Sequence, residues 1–183
     1  MIAIKKTSSN DCDKIFQLYK KVASIPGGLA RIQQEINQKY VSGFLEKSHK
    51  QGLSLVALDE NQQQVVGEIH AYTSGLLCFT HVFTELTIAV DPDSQGKGVG
   101  RKLFEQFLSE IINNHSKILR IELIARESNQ KAITFYQSLG FEKEGILKNR
   151  IKNPDGSLES DITMAWFRTS QSLRSSVKTD TIG

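Results

Sequence analysis

The stretch Gln95-Gly96-Lys97-Gly98-Val99-Gly100 has the composition and spacing to hold an anion. It follows an apolar, β-branched run, Phe83 to Val90, and a turn, Asp91-Pro92-Asp93-Ser94. It precedes a run of helical period carrying Leu103, Phe104, Phe107, Leu108, Ile111 and Ile112. The first N–H groups of a helix have no partner within the helix, and the macrodipole makes that end positive. Glycines let a phosphate approach the backbone with no Cβ in the way. The spacing excludes two common phosphate motifs. A dinucleotide fingerprint starting at Gly96 would place its third glycine at Arg101, and a P-loop would need glycine at Asp91 and Ser or Thr at Gly98.

A second block runs from Leu119 to Phe141 and contains Ser128-Asn129, Ala132, Tyr136 and Leu139-Gly140-Phe141. A strand, an Asn, Ala-x-x-x-Tyr and Leu-Gly-Phe, placed about thirty residues after Gln-x-x-Gly-x-Gly, resemble the GNAT superfamily of N-acetyltransferases. The resemblance covers roughly Ile2 to Trp166 and is strongest from Leu86 to Phe141. It implies acetyl-CoA as co-substrate, a primary amine as acceptor, either a small molecule or a protein N-terminus, and direct attack in a ternary complex. It also implies that backbone N–H groups from Gln95 through Gly96, Lys97, Gly98, Val99 and Gly100 to Arg101 hold the pyrophosphate. The pantetheine arm would pair like an added strand with Ile88 and Val90, which requires their strand to splay from that of Ile121 to Ala125. Asn129 would reach the pantetheine end. Tyr136, seven residues on and on the same helix face, would protonate the departing thiolate or hydrogen-bond to it.

The attacking amine must lose a proton, because an ammonium has no lone pair. Glu122 and Glu85 are the two candidate carboxylates, on neighbouring strands, with Glu85 placed before an expected bulge. A salt-bridged strand carboxylate is the alternative for each, His70 and His81 are weaker candidates, and attack by an already neutral amine needs no base. The resemblance frames the acceptor with residues 24–30 and 148–158. The stretch from Gly145 to Asp161 has a weak likeness to bacterial acetyltransferases of small molecules and N-terminal amines. Transfer of another acyl group, or a non-catalytic acyl-CoA-binding module of the same fold, are the competing readings.

The elements that must position these residues follow from periodicity. Strands are expected at residues 2–6, 53–58, 65–72, 82–90, 118–125, 141–152 and 157–167. Helices are expected after Ser8-Ser9-Asn10-Asp11, from about Ala30 with Ile32, Ile36, Tyr40, Phe44 and Leu45 on one face, after Gly98, and after Ser128-Asn129. This order predicts an α/β fold: a mixed, mostly antiparallel sheet of about seven strands flanked by about four helices, with a splay between the fourth and fifth strands. Residues 1–168 are expected to form one domain, and the polar tail 169–183 to be disordered.

A chain of 183 residues with 39% hydrophobic and 23% charged residues suits one packed domain. Its net charge of +3 is scattered, which argues against nucleic acid as a partner. Met1-Ile2-Ala3-Ile4 precedes Lys5-Lys6, the wrong order for a secretory signal, and no apolar stretch approaches the length of a membrane span. Cys12 and Cys78 lack metal-ligand spacing and read as thiols of a reduced, cytoplasmic protein. The expected partners are a CoA thioester and an amine, with no metal and no membrane, and with a homodimer left open.

Overall fold

A computed structural model describes residues 1–25, 27, 29 and 31–168. The tail 169–183 and positions 26, 28 and 30 lie outside the described residues. The strands are β1 (Ile2–Lys6), β2 (Gly52–Asp59), β3 (Gln64–Tyr72), β4 (Val82–Val90), β5 (Arg120–Arg126), β6 (Glu142–Lys152) and β7 (Leu158–Phe167). The helices are α1 (Cys12–Ala23), α2 (Gln38–Gln51), α3 (Val99–Asn114) and α4 (Gln130–Ser138). The strands form one seven-stranded sheet in the order β1-β2-β3-β4-β5-β7-β6. Every neighbouring pair is antiparallel except β4 and β5. The expected α/β architecture and the splay between the fourth and fifth strands are both present.

Each face of the sheet has its own core. On one side α1 buries Ile15, Leu18, Tyr19 and Val22, and α2 buries Val41, Phe44 and Leu45, against Val56, Val65 and Ala89. On the other, Leu103, Phe104, Phe107 and Ile111 of α3 share one apolar cluster with Leu55, Ile69, Phe83, Ile121 and Met164. The 3.6-residue period of the helices and the two-residue alternation of the strands put these side chains on facing surfaces. Burying each large apolar side chain contributes about 1.5–3 kcal/mol.

α2 starts later than its apolar stripe suggested. Gln33–Glu35 form a short 3-10 turn in which Glu35 Oε2 accepts the Ile32 N–H (3.0 Å). Asn37 then caps the helix by accepting the Tyr40 N–H (2.9 Å). Two local polar devices therefore override the apolar repeat, and Ile32 is left exposed. β5 likewise begins at Arg120, because the N–H groups of Leu119 and Arg120 both donate to His81 O.

The C-terminal end of α3 depends on one distant side chain. Arg168 donates to the carbonyls of Ile111 (2.7 Å), Ile112 (3.0 Å), His115 (3.0 Å) and Ile118 (2.8 Å). A cation at that end also complements the macrodipole. Arg168→Ala is expected to lower unfolding stability by about 1.5–3 kcal/mol, measured by urea titration. A midpoint equal to wild type would mean that water replaces the guanidinium at no loss.

Candidate active site

β4 and β5 pair over only two positions, Val82 with Arg120 and Phe83 with Ile121. Two residues further on, Glu85 takes a left-handed conformation (φ 55°), and the β3–β4 register shifts between His70 and Tyr72. This is a β-bulge. An extra residue on one strand bends it and increases its twist. Beyond Phe83 the edge of β4 that faces β5 has no ladder partner, so the strands part.

The gap opens into a cavity of about 730 Å³. Its wall includes Glu85 and Ile88 of β4, Glu122 of β5, Asn129, and Tyr136 of α4. Five residues singled out from the sequence thus come together. Val90 and residues 95–101 stand outside this wall, at the far end of β4 and the start of α3.

That helix start is bare of side-chain caps. Its N-cap is Gly98 in the left-handed region (φ 79°), and its first turn has no acidic residue. The ladder begins with Lys102 N–H donating to Gly98 O (3.0 Å), so the N–H groups of Val99, Gly100 and Arg101 have no partner within the helix. A Cβ added at Gly96 or Gly98 would meet nothing within 4 Å, so both glycines face open space. These features fit a diphosphate. Gln95 departs from expectation: its N–H is already held by Pro92 O (3.2 Å), so the free donors begin after it. The preceding turn is pinned to α1 by Lys21, which reaches Asp91 and Asp93 at 2.7 Å each. Arg101 is anchored on α4, where it donates to Ser138 Oγ (2.8 Å) and lies over the Phe135 ring.

Tyr136 is half-buried, with its ring among Phe104 (5.9 Å), Phe135 (5.6 Å) and Phe141 (6.0 Å) between centroids. Burial pushes its phenol up to about 12, so the hydroxyl keeps its proton at neutral pH. Asn129 caps α4, its Oδ1 accepting the Ala132 N–H (3.1 Å), which leaves the Nδ2 edge for the cavity.

Charge in the cavity is unevenly paired. Arg120 donates through Nε to Glu122 (2.7 Å) and through both other nitrogens to Glu144. Arg150 holds Asp161 (3.1 Å). Arg126 holds Glu159 (2.7 Å) and, with Ser128, draws that carboxyl down to about 2. Glu85 is the cavity carboxylate without a cationic partner among the described residues. A second cavity of about 360 Å³ meets the first at Leu29, Glu85 and Thr87 and continues to Tyr40, Phe44, His70 and Tyr72.

Sequence reasoning named His70 only as a weaker candidate base and left salt-bridging as an alternative for the strand carboxylates. It missed the arginine pairs themselves and the buried cluster that His70 forms with Tyr19, Ser54 and Glu68. One signal was available. Glu68, His70 and Tyr72 alternate along an otherwise apolar strand, which puts them on one face. His81 stands just before β4, outside both cavity walls, where its carbonyl accepts from β5. Among the described residues, no group of three or more His, Cys, Asp or Glu is placed to hold a metal. No helix there is long and apolar enough to cross a membrane.

The family model of the acetyltransferase (GNAT) domain matches residues 50–143, half of the chain. The chain is 42% identical over 82 residues to the [ribosomal protein bS18]-alanine N-acetyltransferase of Escherichia coli K12, covering 45% of this chain and 53% of that protein. The match thus spans about half the length of that curated relative. A GNAT-family acetyltransferase from Streptococcus pneumoniae shares the fold with a TM-score of 0.82 at 17% identity, covering 92% of this chain and all of that one. So does yncA of Salmonella typhimurium, solved with its cofactor acetyl-CoA, with a TM-score of 0.79 at 19% identity over 91% of this chain and 94% of that one.

The bulge can be tested apart from any chemistry. A side chain in the left-handed region costs about 1–2 kcal/mol, and a β-branched one is the worst fit. Glu85→Gly should therefore unfold at an equal or higher denaturant concentration than wild type, and Glu85→Val at a clearly lower one. The reverse order would rule out the left-handed conformation at this position.

Proposed function

The chain belongs to the GNAT acetyltransferase family, and from that premise we propose that it moves an acetyl group from acetyl-CoA to a primary amine within a ternary complex. The observation that carries this reading is the parting of β4 from β5 beside the half-buried hydroxyl of Tyr136. A strand edge without a partner, a bare helix start at its end and a protonated phenol across the gap suit the three parts of a CoA thioester.

Acetyl-CoA supplies an acyl group already activated toward an amine. The free N–H groups after Gln95, with Gly96, Lys97, Gly98, Val99, Gly100 and Arg101, hold the diphosphate. Lys97 and Arg101 add positive charge there. The open backbone edge around Ile88 and Val90 pairs with the pantetheine arm, and Asn129 meets its end. Tyr136, protonated at neutral pH, stands ready to give a proton or a hydrogen bond to the sulfur as the C–S bond breaks. Glu85, without a cationic partner among the described residues and shared by both cavities, holds the incoming ammonium. Glu122 is held by Arg120 and serves better to fix that guanidinium than to accept a proton.

For the acceptor, the name of the Escherichia coli relative supports a protein N-terminus, and the size of the cavity also admits a small amine. The free thiols Cys12 and Cys78 support a reduced, cytoplasmic setting.

The test is release of free thiol from acetyl-CoA in the presence of a panel of primary amines, including an alanine-initiated peptide. CoA binding without thiol release for any amine would point to a binding module instead. Tyr136→Phe should lower turnover about ten- to a thousandfold with little change in CoA affinity. Unchanged turnover would remove the phenol from the reaction. Gly98→Val puts a side chain where the phosphates belong and should raise the CoA dissociation constant at least about tenfold, a loss of roughly 1.4 kcal/mol or more. Unaltered affinity in a folded variant would contradict the assignment of the loop.

A further inference from the structure

Glu68 is wholly buried in the middle of β3. A carboxyl in that position costs several kcal/mol unless it is hydrogen-bonded. It accepts from Tyr19 Oη of α1 (2.6 Å) and from Ser54 Oγ of β2 (2.6 Å). Burial and the nearby carboxylate hold the Tyr19 phenol well above its ordinary range, so it stays a donor. The third neighbour is His70 Nδ1, 3.1 Å from Glu68 Oε2. A carboxylate offers only acceptors, and the Tyr19 proton already points to Glu68, so Nδ1 must carry the hydrogen between itself and Glu68. That fixes the tautomer of the ring and leaves a lone pair on Nε2.

Stacking holds the plane of this ring. Phe44 stacks on it at 3.9 Å and 9° between planes, and Tyr72 lies parallel at 6.1 Å. Nε2 has no hydrogen-bond partner among the described residues, yet it is not among the sealed, unpartnered polar atoms. Its ring forms part of the wall of the smaller cavity, which meets the larger one at Glu85 and Thr87. The charged groups facing this cavity are Arg31 and Glu35, from the segment before α2, and Glu85 of β4. Tyr40 faces it from α2, with Arg31 stacked on its ring at 4.3 Å.

We propose that His70, oriented by the buried Glu68, is the base that takes the proton from the acceptor's ammonium. This rests on the acetyl-transfer reading above. The ammonium gives one proton to Nε2 and becomes a neutral amine, whose lone pair forms the C–N bond as the C–S bond breaks. Tyr136 gives its proton to sulfur and recovers one from the new amide nitrogen, and His70 returns its own to solvent. One proton leaves per turnover. Glu68 is a positioning residue that balances the imidazolium charge, and the face of Phe44 adds to that stabilisation.

The test compares kcat/KM against pH for wild type, His70→Gln and Glu68→Gln, with acetyl-CoA and an alanine-initiated peptide or the best amine of a panel. His70→Gln should lose about a hundredfold or more at neutral pH, and recover as rising pH supplies neutral amine. Glu68→Gln should lower kcat with KM little changed and alter the tautomer of the His70 ring, a pair of changes that simple loosening of the core would not produce. CoA affinity should be unchanged in both variants. An independent measurement is the nitrogen NMR spectrum of the histidine rings, which should show the Nδ1–H tautomer for neutral His70. An Nε2–H tautomer in the wild type, or a pH profile that His70→Gln leaves unchanged, overturns the proposal while acetyl transfer stands. A wild-type protein that binds CoA but acetylates no amine overturns both.

Discussion

The early end of pairing between β4 and β5 is the constraint on which the rest of this structure depends. Two hydrogen-bonded positions join the halves of the sheet, and the bulge at Glu85 then turns β4 away. A continuous ladder would close the cavity and occupy the strand edge. The sheet withstands the break because one apolar cluster runs under it, taking Leu55 and Ile69 from one half, Ile121 and Met164 from the other, and Phe104 and Phe107 from α3. Apolar burial thus replaces the missing hydrogen bonds as the force that holds the halves together. Backbone groups left without partners at the gap face the cavity, where water or a ligand can satisfy them.

The two halves manage charge differently. On the β5–β7–β6 side, Arg120, Arg126 and Arg150 each hold a carboxylate near the cavity, so polar groups stand close without leaving one charge alone. On the β3–β4 side, Glu68 is satisfied by two hydroxyls and an imidazole, and Glu85 stands without a cation among the described residues. A fully satisfied buried network holds its members in one arrangement, because any rotation leaves a donor or acceptor unpaired. The helix start of α3 is the opposite case, a set of donors without protein acceptors in open surroundings.

Much of the site was legible because its signals are local. Strand, turn, glycines and helix around residues 82–112 lie in one continuous stretch, and local rules predict such a unit. Asn129 and Tyr136 were legible as a pair because seven residues on a helix return to the same face. The start of α2 was not, since the apolar stripe from Ile32 hid a stronger polar cap at Asn37. The restraint on Glu122 was also hidden. Its partner Arg120 is two residues away on the same strand, but their contact depends on which face of β5 the cavity occupies and on Glu144 from β6.

By itself, the sequence determined the order of strands and helices, the anion-ready helix start and the pairing of Asn129 with Tyr136. All of these follow from spacing within about ten residues. Only the tertiary structure decided which carboxylate stands without a cation, and that His70 meets Glu68, Tyr19 and Ser54. Those outcomes depend on how β2, β3, α1 and the two-residue junction of β4 with β5 come together across up to 51 positions of sequence. Hydrogen bonds and ion pairs are short-ranged and directional, so a shift of one residue in the register of a strand would turn each of these side chains to the opposite face of the sheet.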